Sequence, residues 1–446
     1  MNLMFVSLGC DKNLSDSEHM LAILEKEGFT FVDDEAEADV IVVNTCCFIH
    51  DAMEESIQTL IDLGRYKTEG RLKVLLAAGC LAQRHAEDIR RELPEVDGVI
   101  GTNGFDTIAD AVKQAMEGEY VSHLPELSGL PSTKAGRLLV TGGHFGYLKI
   151  AEGCSKACTY CVIPRIRGAY RSIPMEELVS EAEAMVSDGV RELILVAQET
   201  TLYGVDLYGR KSLPALLEKL CGIEELRWIR LLYCYPEEID DDLIETISSH
   251  DKICHYIDMP IQHCNDAILK AMGRRTTKAE IISVINKLRE RIPDMTLRTT
   301  LICGFPGEDE AAHLELMDFI RRMRFDRLGV FEYSQEEGTP AADFEGQVEE
   351  SVKQERYDAL MRAQQSVSAK LGRQRVGQIE TVFVEGRAAD ETGVYVGRSY
   401  RDAPDVDGYV FFESFEDIPS GRFVQVRITR SGEYDVMGEK INESSE

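Results

Sequence analysis

The chain is short of several things, and each shortage excludes a class of protein. In 446 residues no stretch reaches the roughly 18 apolar residues of a membrane-spanning helix. No N-terminal segment joins basic residues to a long apolar run, as a secretory leader does. Internal repeats and low-complexity tracts are absent apart from the acidic tail Glu443 to Glu446, which excludes solenoid and linker-like architectures. Positive charge is scarce: 49 Lys plus Arg stand against 79 Asp plus Glu, a formal net charge of −30. A protein that grips phosphate backbones normally presents a basic face. Bulk charge therefore speaks for solubility, or for basic protein partners, over nucleic acid. The expectation is a cytoplasmic chain of two to four domains.

Cysteine is plentiful. Twelve of them in a chain expected to be cytosolic argue for metal or redox chemistry rather than disulfides. Cys154, Cys158 and Cys161 form a CxxxCxxC triplet behind the apolar run Tyr147 to Ile150. A closed zinc site needs four ligands, and an iron–sulfur cube has four irons to hold. Three thiolates without a local fourth suggest a cube with one iron open to another ligand; a zinc knot or surface cysteine cluster is the competing reading.

Residues 1–120 alternate apolar runs with amphipathic stretches. The expected strands are Leu3 to Leu8, Val40 to Val43, Val74 to Ala78 and Val99 to Ile100, with helices between them. That alternation means βαβ units and an open parallel sheet. Cys10, Cys46 and Cys80 each lie just past a strand's carboxyl end, where such sheets bind ligands. Three cysteines at equivalent places read as one site, a second iron–sulfur cluster. Cys47 and the remaining five cysteines read as packing residues.

Residues 121–145, with Pro125, Pro131 and Gly142-Gly143, read as a linker. From 146 to 375 the alternation resumes. Six strand candidates begin near Tyr147, Glu192, Trp228, Tyr256, Leu297 and Arg327, and a long helix closes the segment. Active sites of such barrels lie at the strands' carboxyl ends. The candidates there are Gln198, Glu199, Gln262, His263 and the run Gly304-Phe305-Pro306-Gly307-Glu308; Arg298 lies within the fifth strand. Five short β runs between residues 376 and 442 read as a small oligonucleotide/oligosaccharide-binding-like barrel.

The triplet, with Tyr160 before its last cysteine, resembles the signature of radical S-adenosylmethionine (SAM) enzymes. The whole chain resembles their methylthiotransferases: a cysteine-bearing N-terminal domain, a partial (β/α)6 radical SAM barrel and a TRAM-like end. The resemblance implies SAM and two 4Fe–4S clusters, one on Cys154, Cys158 and Cys161, the other on Cys10, Cys46 and Cys80. It further implies sulfur insertion into an unactivated C–H bond, followed by methylation. SAM is a zwitterion, so Arg298 is the expected carboxylate partner. Glu199, Gln198 and Gln262 are expected at ribose or amino groups, and Gly304 with Gly307 beside the adenine. His263 reads first as a satisfied core residue.

Two substrate branches compete, an adenosine of tRNA and an aspartate β-carbon of the twelfth small-subunit ribosomal protein. From Val376 onward seven Lys plus Arg face fifteen Asp plus Glu, a charge suited to a basic protein rather than RNA. Tyr333 to Ala341 and Gly397 to Gly408 also resemble the ribosomal-protein branch, with Gln335 where proline is usual. The expected partners are that basic ribosomal protein and a reducing electron donor, with tRNA disfavoured, no membrane, and the sulfur source open. A non-catalytic two-cluster electron carrier is the alternative from another class.

Overall fold

A computed structural model describes residues 1–389 and 393–441; the acidic tail and residue 442 lie outside the described residues. Among the described residues, three large sheets and one two-stranded arm build the molecule. In the first, strands β1 (Asn2–Ser7), β2 (Thr30–Phe31), β3 (Val40–Thr45), β4 (Val74–Gly79), β5 (Gly98–Ile100) and β6 (Val121–His123) are all parallel in the order β2-β1-β3-β4-β5-β6. Strands β3 and β4 are buried at every position, as inner strands covered by helices on both faces must be. The chain leaves β1 to one side and returns past it to β3, so the topological switch point lies between those two strands.

This sheet has six strands where the sequence pattern gave four. Strand β2 has two residues and β6 three, too short for a period to register. Strand β6 lies inside the stretch expected to be linker. Beyond it the connection is anchored: buried Arg137 pairs with Glu18 and Glu181 and donates to the Tyr147 carbonyl.

The central sheet runs β7 (Phe145–Lys149), β10 (Glu192–Val196), β11 (Trp228–Leu231), β12 (Ile253–Asp258), β13 (Thr296–Cys303) and β14 (Arg327–Glu332), parallel and in sequence order. Between β7 and β10, β8 (Ala151–Glu152) and β9 (Arg171–Ser172) pair as a two-stranded antiparallel arm. The sheet stays open, as expected for a partial six-fold barrel. Its outer face packs Leu148, Leu195, Leu231, Ile257 and Leu301 against the helices in one large core. The inner face carries Tyr147, Ile194, Trp228 and Tyr256, which meet Phe383 of the C-terminal domain.

The helix Glu350–Arg375 leads into a closed barrel of β15 (Ile379–Arg387), β16 (Val394–Arg398), β17 (Val410–Glu413), β18 (Phe423–Ser431) and β19 (Val436–Lys440). The segment between β16 and β17, set apart above only as a family feature, docks against the central barrel. Asp402 pairs with Arg327, and Asp407 accepts from Tyr256 at 2.7 Å. The fully buried Arg398 and Arg230 both bind Glu192, at 2.8 Å each. Glu192 and Arg327 are the first residues of β10 and β14, at the amino ends of those strands. The C-terminal domain thus closes the bottom of the central barrel and leaves the carboxyl rim to the N-terminal domain.

Candidate active site

Two trios of thiols lie on either side of the seam where the first sheet's ligand edge faces the central barrel's rim. Cys10 directly precedes the helix Asp11–Lys26, Cys46 follows β3, and Cys80 opens the short helix after β4. Cys46 and Cys80 are buried and Cys10 is exposed. Two of these cysteines follow glycines at positive φ, Gly9 (+90°) and Gly79 (+86°). A β-carbon on Gly79 would stand 2.2 Å from Asn44 Oδ1, and one on Gly9 2.8 Å from the Cys46 β-carbon. Both turns need glycine for conformation and for room. Asn13 ties the trio together: its amide nitrogen donates to the carbonyls of Leu8 and Thr45, 3.0 Å each, and the Cys80 thiol lies 3.7 Å from its oxygen. Burial pushes the Cys46 and Cys80 thiols up, and the nearby Cys10 adds to the shift. Cys47 instead packs in the apolar core beneath, with its thiol pushed up to about 12 by burial, as a bystander would be.

The second trio lies on the loop between β8 and β9. Cys154 and Cys158 are buried, and Cys161 is partly so. Burial pushes the Cys154 thiol up to about 11 and that of Cys161 up to about 12. The loop is pinned by Thr159, whose N–H donates to Met272 O at 2.9 Å and whose hydroxyl donates to Ala271 O at 2.8 Å. Val162 and Ile166, just beyond Cys161, pack into the N-terminal core. Tyr233 on the opposite rim carries Lys12 Nζ 3.3 Å above its ring and donates to Asp11 at 3.3 Å. Arg84 of the N-terminal domain pairs with Glu336 at 3.2 Å, so the run Tyr333 to Ala341 helps hold the two domains together.

Among the described residues no three Cys, His, Asp or Glu side chains converge as they would on one bare ion. A cube of four irons and four sulfides is a larger body, and thiols spread over neighbouring loop ends suit it better than a single zinc ion. The chain also leaves polar atoms buried without partners on this rim: Glu199 Oε2, both amide atoms of Gln198, Gln262 Oε1, and Nε and Nη1 of Arg274. Such groups cost free energy unless a ligand satisfies them. They match a polar zwitterion beside the triplet, so the residues present fit the cofactors that the sequence pattern implies. Burial pushes the Glu199 carboxyl up to about 7, against Lys156 Nζ at 3.7 Å.

The expected SAM contacts divide. Gln198, Glu199 and Gln262 are on the rim with free polar atoms. Arg298 is not: it sits near the amino end of β13, where it pairs with Asp258 at 2.8 Å and Asp407 at 3.6 Å. Its charge is spent on the seam with the C-terminal domain. Arg274, overlooked in the sequence, is a rim cation that, among the described residues, pairs with no carboxylate: its Nη2 donates to Pro260 O at 2.8 Å, and its Nε and Nη1 have no partner. It is 6% exposed and lies over the Tyr235 ring at 4.2 Å, close to Tyr160 and Cys158. Gly304 donates its N–H to Glu308 at 2.8 Å, and its missing β-carbon makes room for Lys353. His263 is fully buried, its Nδ1 accepting from Asn265 N at 2.9 Å, but its Nε2 has no hydrogen-bond partner and stands 3.7 Å from Glu308, so the expected satisfied core residue is only half satisfied.

Family comparisons agree with this architecture. Residues 148–320 match the Radical SAM superfamily, residues 376–441 the TRAM domain, and residues 2–101 the uncharacterized protein family UPF0004. In fold the chain is similar to the radical SAM methyltransferase TsrM from Kitasatospora setae, at a TM-score of 0.55 and 14% identity over 87% of this chain and 79% of that one. It is also similar to the cobalamin-dependent SAM radical enzyme OxsB, at a TM-score of 0.52 and 13% identity over 82% of this chain and 56% of that one. Fold and motif together define a radical SAM enzyme. Proteins named ribosomal protein uS12 methylthiotransferase RimO, from Lachnoclostridium phytofermentans and Acetivibrio thermocellus, are 53% and 48% identical to it. They align over 98% and 99% of this chain and 99% and 98% of their own lengths. The chain belongs to this RimO family of radical SAM methylthiotransferases.

Proposed function

We propose that the chain methylthiolates the β-carbon of an aspartate in ribosomal protein uS12, in the cytoplasm. The observation that carries this reading is two cysteine trios on either side of one domain seam, with the unsatisfied polar atoms of Gln198, Glu199, Gln262 and Arg274 on the rim beside the central one. Cys154, Cys158 and Cys161 would hold the SAM-cleaving cluster, and Cys10, Cys46 and Cys80 the auxiliary one. Bound there, clusters and SAM supply the radical and sulfur chemistry that an unactivated C–H bond requires. The protein's own share is placement. Arg274 meets the SAM carboxylate, Glu199 with Gln198 and Gln262 accepts or donates at its amino and ribose groups, and the N-terminal domain covers the rim against water. The acidic C-terminal barrel suits a basic protein substrate better than RNA.

The experiment presents anaerobically reconstituted enzyme, SAM and reductant with uS12, free and in the small subunit, and separately with tRNA. Mass spectrometry is expected to find a methylthio group on uS12 alone; modification of tRNA instead would refute the substrate. Cys158→Ala is expected to lose SAM cleavage, whereas Cys46→Ala keeps much of it and loses sulfur insertion. Methylthio transfer at the wild-type level in Cys46→Ala would sink the two-site assignment.

A further inference from the structure

Beneath the two trios lies a buried group of four charges that the proposed chemistry leaves unused. Lys149 binds Asp16 and, at 2.8 Å, Glu152. Arg167 binds Glu152 through Nη1 at 2.9 and 3.0 Å and Asp16 at 3.2 Å. All four are at most 6% exposed. Arg167 also reaches beyond the group through Nη2, the nitrogen it shares with Asp16. Its Nη2 donates to Asn13 Oδ1 at 2.6 Å and reaches Cys80 Sγ at 3.8 Å. Asn13 is the residue that also fixes the carbonyls ahead of Cys10 and Cys46.

Arg167 is placed to serve both trios. It follows Cys161 by six residues, and its partner Glu152 precedes Cys154 by two. The Arg167–Glu152 pair, with Cys154 N donating to Gly168 O at 3.1 Å, therefore closes the base of the loop that carries the central triplet. The same guanidinium touches a thiol of the N-terminal trio. Two cations and two carboxylates balance inside the group, whereas three thiolates around a cube add negative charge beside it. A buried charge in contact with a cluster ligand shifts that cluster's reduction potential, because hydrogen bonds and charge at the sulfurs set how readily it takes an electron.

We propose that Arg167, held by Asn13, Asp16 and Glu152, is a positioning residue that ties the Cys80 thiolate to the base of the Cys154–Cys161 loop and raises the reduction potential of the N-terminal cluster. The proposal rests on the reading of Cys10, Cys46 and Cys80 as one cluster site. Glu152 acts in the opposite sense, since its carboxylate offsets part of the guanidinium charge.

The test uses the full chain with Cys154, Cys158 and Cys161 all changed to Ala, reconstituted so that only the N-terminal cluster is read. Iron content is measured first, then the midpoint potential by an EPR-monitored titration. Arg167→Gln in this background is expected to move the midpoint to a more negative value, Arg167→Lys by less, and Glu152→Gln to a more positive one. Opposite signs are something a merely structural role would not produce. Unchanged midpoints in iron-loaded Arg167→Gln and Glu152→Gln proteins would overturn the inference. Absence of iron from the triple-Ala parent itself would instead overturn the cluster reading beneath it. If Arg167→Gln fails to fold, Glu152→Gln decides alone: a positive shift supports the proposal, and no shift overturns it.

Discussion

Two arginines show what the sequence could and could not say about single side chains. Arg298 looked suited to a carboxylate because a guanidinium can grip one bidentately. Strand β13 runs on to Cys303, so Arg298 lies five residues short of the carboxyl end, roughly 16 Å at the usual rise per residue. At that depth it meets Asp258 and Asp407 instead of the rim. Arg274 sits in a turn beyond a short helix, where no period announces it, and only the fold brings it under the triplet loop. Arg274→Met is expected to weaken SAM binding, as measured by calorimetry on reconstituted enzyme. Losing hydrogen bonds to a charged group costs about 1.5–3 kcal/mol, or roughly 10- to 150-fold. Arg298→Met is expected to leave SAM affinity unchanged and lower stability by about 3–5 kcal/mol, because two buried carboxylates lose their partner. The reverse pattern would restore the original assignment. The six cysteines, by contrast, were legible at once, since chemistry and spacing mark a thiol wherever the chain takes it.

Elements were read well where a period had room to show itself. The helix Lys278–Arg291 owes its sharp start to a capping box in which Thr277 and Glu280 satisfy each other's backbone donors. Thr277→Ala should cost about 1 kcal/mol, visible as a lower midpoint in chemical denaturation. Strand–turn elements around the N-terminal trio depend on something subtler. The dipeptides Gly9-Cys10 and Gly79-Cys80 repeat one solution, a left-handed glycine that turns the chain sharply at the strand end. The repetition was visible in the sequence, and its meaning was not, because the crowding comes from Asn44 and Cys46 on a neighbouring strand. Gly79→Ala would drive a methyl group into Asn44 and force the Cys80 turn to shift. The reconstituted variant is expected to lose iron from the N-terminal trio while keeping SAM cleavage; full iron content would show that the turn tolerates a side chain.

Over the whole molecule, three domains were foreseen and the ion pairs that dock them were not, since those join buried residues far apart in sequence. Asp402 is the clearest case. Burial opposes its ionisation, yet Arg327 and Arg375 hold its carboxyl down to about 2, from an ordinary 3.8. A depressed carboxylate stabilises the folded state above its unfolded pKa and stops doing so as pH falls through its folded one. The C-terminal barrel is therefore expected to loosen between about pH 4 and pH 2. Trp228, the chain's single tryptophan, reports on this seam, with its ring 4.9 Å from Phe423 and 5.8 Å from Phe383. Its fluorescence should change across that window, and Asp402→Asn should show the change already at neutral pH. At the top of the barrel the seam with the N-terminal domain carries the central claim, that each cysteine trio holds its own cluster. Iron and sulfide analysis, with Mössbauer spectra, of anaerobically reconstituted wild type and of the two triple-Ala variants tests it most directly. The expected result is about eight irons per wild-type chain and about four in each variant; about four in the wild type, with none left in one variant, would contradict it.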